Sequence, residues 1–574
     1  MSRKAKWFLA IAVFIVLFIA VAVAVVLTAT SGPRIKSNSV LFIDIQGGIP
    51  EEESDNPLEM IFEGEKSTMK DHLDCIEKAA KDERIKGIYL RVGGSMISWA
   101  QIQELRSALL EFKKSKKPMV AFMELADMGD YYLATSSDKI YMMPAGFLGL
   151  TGLLSEVPFL KGTLDKLGIK AEFEHVAEYK TASDIYTRDS MSEAHKEMVN
   201  SLLDSIFNGF LKDVSSARKI SENDLRKAID RGFLTPQEAL DAKLIDALKY
   251  HDEIKEMLKK DFGGEYHKVS LDSYRSSAAF TKMKSRKKIA LLYATGTIIS
   301  GESSSDPYGG QMMGSDTIQK AFEKIRKDKS IKGIVMRVDS PGGSGVASDV
   351  IWRETQITKK DIPIVVSMSG VAASGGYYIS MGTDAIIAEP GTITGSIGVL
   401  AGKFNMRGLY DWIGMKYELT KRGENADIFS SYVGFTDDQR KLVREQIYVF
   451  YKQFVHKVAE GRKKTDAEID SIGKGRVWTG AQGKELGLVD ELGGLKRAIE
   501  VVKQKAGIPA DEEVAIVIFP KKKSIWQMIT GGREEEMLKY LAAKLFSLPD
   551  DIRKEIGYIN HLSAVARDKI ILMM

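Results

Sequence analysis

The chain repeats itself, and that repetition constrains its architecture more than any other feature. "IKGIYLRV" opens at Ile85 and "IKGIVMRV" at Ile331, 246 residues apart. The same offset pairs Gly87 with Gly333, Arg91 with Arg337, Tyr131 with Tyr377, Tyr132 with Tyr378 and Asp138 with Asp384. It continues through Pro144 and Pro390, Gly149 and Gly395, Gly152 and Gly398, Gly168 and Gly414, and Glu172 and Glu418. Near the end it drops to 244, where "LID" at Leu244 answers "LVD" at Leu488. A period this long is a duplicated domain, since solenoid units repeat every 20–50 residues or so. A chain of 574 residues also exceeds what one core supports.

Each copy alternates short β-rich runs with helical patterns. "VLFIDI", "IKGIYLRV", "MVAFME" and "DKIYMM" read as buried strands in the first copy; "IALLYA", "IKGIVMRV", "IPIVVSMS" and "DAIIAE" answer them in the second. "WAQIQELRSALLEF" carries the spacing of an amphipathic helix. Such alternation predicts an α/β fold. The expected layout is a first copy over 39–275, a basic polar linker over 276–288 and a second copy over 289–506. Residues 507–574 have no counterpart and form an extension, in which "YLAAKLF" and "HLSAVARDKIILMM" look like amphipathic helices.

Ahead of the copies, residues 1–6 carry Arg3, Lys4 and Lys6, and Trp7–Ala29 is uncharged throughout. A helix of that length covers about 34 Å, enough for a hydrocarbon core about 30 Å thick, and it exceeds the apolar core of a cleaved signal peptide. It predicts a single-pass transmembrane anchor with its N-terminus in the cytoplasm, a linker at 30–38, and all that follows on the extracytoplasmic side. The net charge of +4 balances 82 basic against 78 acidic side chains, so no nucleic-acid partner is indicated. One cysteine, Cys75, excludes an intrachain disulfide, and the seven histidines show no zinc-pair spacing. Neither a metal nor a cofactor is expected.

Packing residues persist in both copies of a duplicated fold, so function lies where the copies differ. "SGVAASGGYYIS" holds Ser374 before two glycines, whereas the first copy has Met128 at that place. The loop "DSPGGSG" at Asp339–Gly345 is likewise confined to the second copy. Conversely "EYKTASDIYTRDSMS" carries Lys180, where the second copy has Ala426. One composite site at the junction of the copies would produce that asymmetry. A serine hydroxyl is a poor nucleophile until a base takes its proton. A lysine serves as that base only when burial holds it neutral. Ser374 at a strand-to-helix turn, with the amides of Gly375 and of the Gly342–Gly343 loop nearby, would also favour a developing oxyanion. Ser396 in "TGSIG" is placed to orient the lysine. Taken singly, "AASGG" and "DSPGG" also suit close-packed turns, Lys180 a solvated surface and Ser396 a helix cap.

"DSPGG", "AASGGYY", "TGSIG", "EYKTASD" with "RDSMS", and "GRVWTGAQGKELGLVDELGG" together resemble the membrane-anchored Ser–Lys signal peptide peptidases, in the long form with two tandem domains. The resemblance spans about residue 40 to residue 505 and the anchor. It implies two ClpP/crotonase-like domains of repeated ββα units, with Ser374 as nucleophile, Lys180 as general base, Ser396 touching the lysine, and Gly343 and Gly375 shaping the oxyanion hole. It also implies cleavage of remnant signal peptides and other hydrophobic peptides, and assembly into a dome-like homotetramer. Two other readings fit a fold of this kind: acyl-thioester chemistry, and an inactive membrane scaffold. Predicted export speaks against the first, and the second would leave Ser374 unreactive.

Overall fold

A computed structural model describes residues 33–53, 66–261, 264–277, 286–305, 310–521 and 572–573. The anchor expected at Trp7–Ala29 lies outside them. No helix among the described residues is long and apolar enough to cross a membrane.

Two sheets reproduce the repeat. In the first half, strands Phe233–Leu234, Lys139–Gly149, Met119–Ala126, Ile85–Ser95, Ser39–Gly47 and His267–Ser270 lie side by side in that order. In the second, the order is Val477–Thr479, Ile393–Gly395, Ile364–Ala373, Ile331–Ser340, Lys288–Thr295 and Ala515–Phe519. The central strands are parallel in both. Parallel sheets are covered on both faces, which is why these strands read as continuous apolar runs instead of alternating ones. Leu41, Ile88, Leu90 and Ala121 are buried in one sheet, as are Leu292, Ile334, Met336 and Val366 in the other. Helices such as Met69–Lys81, Trp99–Lys113 and Asp437–Arg462 each start at a Ser or Thr capping box. This is the tandem α/β plan expected from the sequence.

One boundary moves and one element changes type. Strand Ala515–Phe519 pairs along Lys288–Thr295 at the sheet edge, so the second unit runs past the expected limit at residue 506. Its counterpart in the first half is His267–Ser270 against Ser39–Gly47. Leu572 and Met573, expected within a helix, form a strand instead, because edges at Gly343–Ser344 and Leu400 offer them backbone partners. Residues 540–546 lie outside the described residues.

A third sheet is built from both halves: Ser304–Ser305, Gln311–Gly314, Thr297–Ile299, Gly343–Ser344, Leu572–Met573, Leu400–Asn405 and Lys170–His175. There, Lys170–His175 of the first half runs antiparallel to Leu400–Asn405 of the second.

The seam is also held by buried charge. Arg337 is fully buried, with Nε 2.8 Å from Glu51 and Nη2 2.6 Å from Glu104, both in the first half. Its repeat counterpart Arg91 is half-buried and pairs with Asp44 and Glu124 of its own sheet. Burial raises the Glu51 carboxyl, but the facing Arg337 guanidinium outweighs it and leaves the group below its usual range. Removing one partner of such a pair strands a buried charge. Arg337→Ala should therefore lose about 3–5 kcal/mol of stability, read as a lowered urea midpoint with Arg91→Ala as the mild control.

Candidate active site

The site begins at the end of strand Ile364–Ala373, where the chain turns into helix Gly375–Ser380. Ser374 makes that turn with φ 53° and ψ −114°, a left-handed conformation for a residue with a side chain. Such strain costs on the order of 1–3 kcal/mol and persists only where the surroundings impose it. Here the Ser374 amide donates to the Gly395 carbonyl at 2.8 Å and Gly376 packs tightly under the elbow, where a Cβ would meet the Ser340 carbonyl at 2.5 Å. Met128, the counterpart, instead follows a conventional Asp127 cap whose φ is −92°. The strained elbow belongs to the second half alone.

Lys180 arrives from the first half, just before the short turn Thr181–Ser183. Its side chain is 1 % exposed. Nζ stands 2.8 Å from Ser374 Oγ, 3.0 Å from Ser396 Oγ and 3.2 Å from the Ser396 carbonyl. Burial alone drives its pKa well below the ordinary lysine value, with no acidic group opposing it. A neutral amine has one lone pair to accept with and two protons to donate. Ser396 offers two acceptors, which leaves the lone pair for the serine hydroxyl. Ser396 caps no helix; its φ of 51° and the hydrogen bond from its amide to the Arg476 carbonyl at 2.7 Å turn it toward the amine.

Gly343 and Gly375 lie on the other side of the elbow. A Cβ on Gly375 would sit 3.0 Å from the Gly342 Cα and 2.7 Å from Ser348 Oγ. At Gly343, where φ is +148°, a Cβ would fall 2.2 Å from the Ile298 carbonyl. Only glycine lets these backbones close up, which brings Gly342 against Gly375, the residue after Ser374. The sequence reading thus has all five residues in one place. Burial also lifts the Asp339 carboxyl to about 6, and Glu51 pushes it the same way; it accepts from the Val371 amide at 2.9 Å and so ties the start of the glycine loop to the nucleophile strand.

Sequence reasoning missed the walls of the lysine channel. A Cβ on Gly475 would fall 2.5 Å from the Lys180 amide nitrogen, and one on Gly398 3.1 Å from Lys180 Cδ. Both glycines were visible inside "TGSIG" and "GKGR", but Gly398 also matches Gly152 in the repeat and so reads as packing. Glu51, Glu104 and Glu389 around Arg337 were missed as well. Burial and repulsion from Glu104 raise Glu389 to about 8, although Arg337 opposes this.

Gly343–Ser344 and Leu400 each offer a strand edge, and Leu572–Met573 of the chain itself lie between them as an antiparallel strand. The register Ser344 to Leu572 and Gly343 to Met573 points that strand toward Gly342, hence toward the elbow. These edges therefore hold two residues of the chain's own extended backbone in an antiparallel register. The arrangement equips Ser374 for acyl transfer.

Comparison with known proteins converges on the same chemistry. Peptidase family S49 matches residues 111–263 and 356–509. The chain is 34% identical over 468 residues to "Serine protease SPPA, chloroplastic" of Arabidopsis thaliana, covering 79% of this chain and 68% of that protein. It is 34% identical over 460 residues to "Protease 4" of Salmonella typhi, covering 77% and 73%. "Protease 4" of Haemophilus influenzae is 29% identical over 521 residues, covering 85% and 82%.

Gly475→Ala adds a methyl where the Lys180 backbone stands, at a position whose φ is +81°. It should slow labelling of Ser374 by a serine-reactive probe at least tenfold and also lower the melting temperature, since the clash is with backbone and the φ is left-handed. In the unaltered protein the labelling rate should fall as pH drops through the depressed lysine pKa, because protonation removes the lone pair. A rate flat across that range would contradict the assignment of the base.

Proposed function

The chain belongs to peptidase family S49 and is a serine peptidase, and from that premise we propose that it is a membrane-anchored endopeptidase working through Ser374 and Lys180. The observation that carries this reading is the 2.8 Å contact between a buried, unpaired amine and a buried hydroxyl supplied by different halves of the chain.

Neutral Lys180 accepts the Ser374 Oγ proton while Oγ attacks the scissile carbonyl. The resulting oxyanion faces the amides at Gly343 and Gly375. The new ammonium returns its proton to the departing amine, leaving an ester on Ser374. Water then gives a proton to Lys180 and attacks that ester, and the proton goes back to Oγ as the acid product leaves. Ser396 keeps the amine aimed through both halves of the cycle. No cofactor enters any step.

The substrates are extended, hydrophobic peptides, remnant signal peptides above all. Strand addition between Gly343–Ser344 and Leu400 is the mode of binding, and the lane taken by Leu572–Met573 supports it. The Trp7–Ala29 segment anchors the enzyme in the inner (cytoplasmic) membrane, with both halves on the extracytoplasmic side. A homotetramer is the working assembly.

Ser374→Ala and Lys180→Ala should each lower cleavage of an apolar signal-peptide substrate by at least a thousandfold while leaving the thermal unfolding curve near that of the parent. Lys180→Arg should be as inactive as Lys180→Ala, since arginine stays charged. Turnover near the parental rate in either serine or lysine variant would refute the dyad.

A further inference from the structure

Arg476 joins both partners of the Lys180–Ser396 contact, one through its backbone and the other through its side chain. Its carbonyl accepts from the Ser396 amide at 2.7 Å. Its guanidinium lies over the Tyr179 ring, 4.9 Å from the centroid, and over the Trp478 ring at 4.4 Å. Nη1 reaches Glu197 Oε1 at 2.5 Å, and the Tyr179 hydroxyl donates to Glu197 Oε2 at 2.8 Å. Tyr179 immediately precedes Lys180. Two first-half side chains thus clasp a second-half cation next to the base. A further ion pair, Lys474 with Glu178 at 3.3 Å, crosses the seam beside it.

The clasp is as asymmetric as the dyad. Thr235 and Thr479 open equivalent helices through capping boxes, which fixes an offset of 479 − 235 = 244 for that stretch and pairs Arg476 with Gly232. The long helices that start at Glu193 and Asp437 share that offset, so Glu197 answers Lys441. At 246, the offset that pairs Lys180 with Ala426, Tyr179 answers Asn425. All three members are lost in the other copy, which keeps the fold without them. Backbone contact gives the clasp its leverage. Residues 474–476 run between the Lys180 turn and the Ser396 turn: the Tyr179 amide donates to the Lys474 carbonyl at 3.1 Å, and the Gly475 amide to the Ile397 carbonyl at 2.7 Å. Close packing of Gly475 on the Lys180 backbone sets how near the two turns come, and the stacked ion pair supplies the attraction that holds them there.

We propose that Arg476 is a positioning residue for the general base: stacked on Tyr179 and paired with Glu197, it draws the Lys180 turn against the Ser396 turn and keeps water from the amine. This rests on the reading of Lys180 as the base. The polar neighbours of Nζ are Ser374 and Ser396, and burial alone, with no acidic group opposing it, holds the amine below its ordinary range. A loosened clasp lets water reach Nζ. Hydration favours the ammonium, so Lys180 then keeps its proton to higher pH and the neutral base is scarcer.

The test measures kcat and KM against pH for the full chain in detergent with an apolar peptide. Arg476→Met keeps a flexible stem but neither the charge nor the planar stack. Its kcat at neutral pH should fall about tenfold to a hundredfold with KM near the parental value, the scale set by small displacements of a catalytic group. Its acid limb should move to higher pH by about one unit, because the base is hydrated. Arg476→Lys retains the charge that meets Glu197 and should recover part of the rate. Glu197→Gln, at an exposed position, should show a smaller loss and a limb shifted the same way; if Arg476→Met does not fold, this variant carries the test. Lys196→Gln on the same helix breaks only a local pair with Glu193 and should keep the parental profile. An acid limb that stays in place in Arg476→Met and Glu197→Gln, whatever happens to the melting temperature, would reduce Arg476 to an adhesive between the halves and overturn the proposal. Parental turnover by Lys180→Ala would instead remove the base itself, so the two failures are told apart.

Discussion

An amine shut away from water with no acid beside it is the constraint on which this enzyme turns. Lys180 has lost its hydration to the seam between the halves, and no carboxylate repays that loss. The cheapest response is to shed the proton, since desolvation disfavours the charged form. Everything around the site serves that outcome. Gly475 and Gly398 admit the stem, Ser396 accepts hydrogen bonds from the amine, and the strained elbow at Ser374 holds a second hydroxyl 2.8 Å from Nζ. A single salt bridge to Lys180 would favour its charged form again.

The charges excluded from the dyad are gathered elsewhere in the same seam. Arg337, Glu51 and Glu104 bind the halves through ion pairs that have surrendered their water, and Ser367, Ser369 and Gln101 satisfy what remains. Glu389 and Asp339 beside them are pushed up by burial. An interface of this kind tolerates little sliding, because every member depends on the position of another. It therefore fixes the register that a 2.8 Å contact between two halves requires. Rigidity at Arg337 and dryness at Lys180 are two results of the same docking.

The duplication made this possible and then was broken. Positions that only pack, such as Tyr131 and Tyr377, stay alike and even donate to equivalent carbonyls, at Leu244 and Leu488. Positions at the junction have diverged: serine against methionine, lysine against alanine, a buried arginine against a half-buried one.

Residue order alone determined a good deal: the repeat, the α/β alternation, the long apolar N-terminal run and the asymmetry that singles out Ser374 and Lys180. These are legible because hydrophobic periodicity and a long internal match are local or self-referential signals. The sequence did not show that strand Ala515–Phe519 completes the second sheet, or that Leu572–Met573 lie beside Gly343. Nor did it show that Gly398 and Gly475 line a lysine channel, or that Glu51 and Glu104 reach across to Arg337. Those facts join residues up to several hundred positions apart. The physical quantities that decide them, desolvation and close approach of backbones, exist only once the two halves have docked.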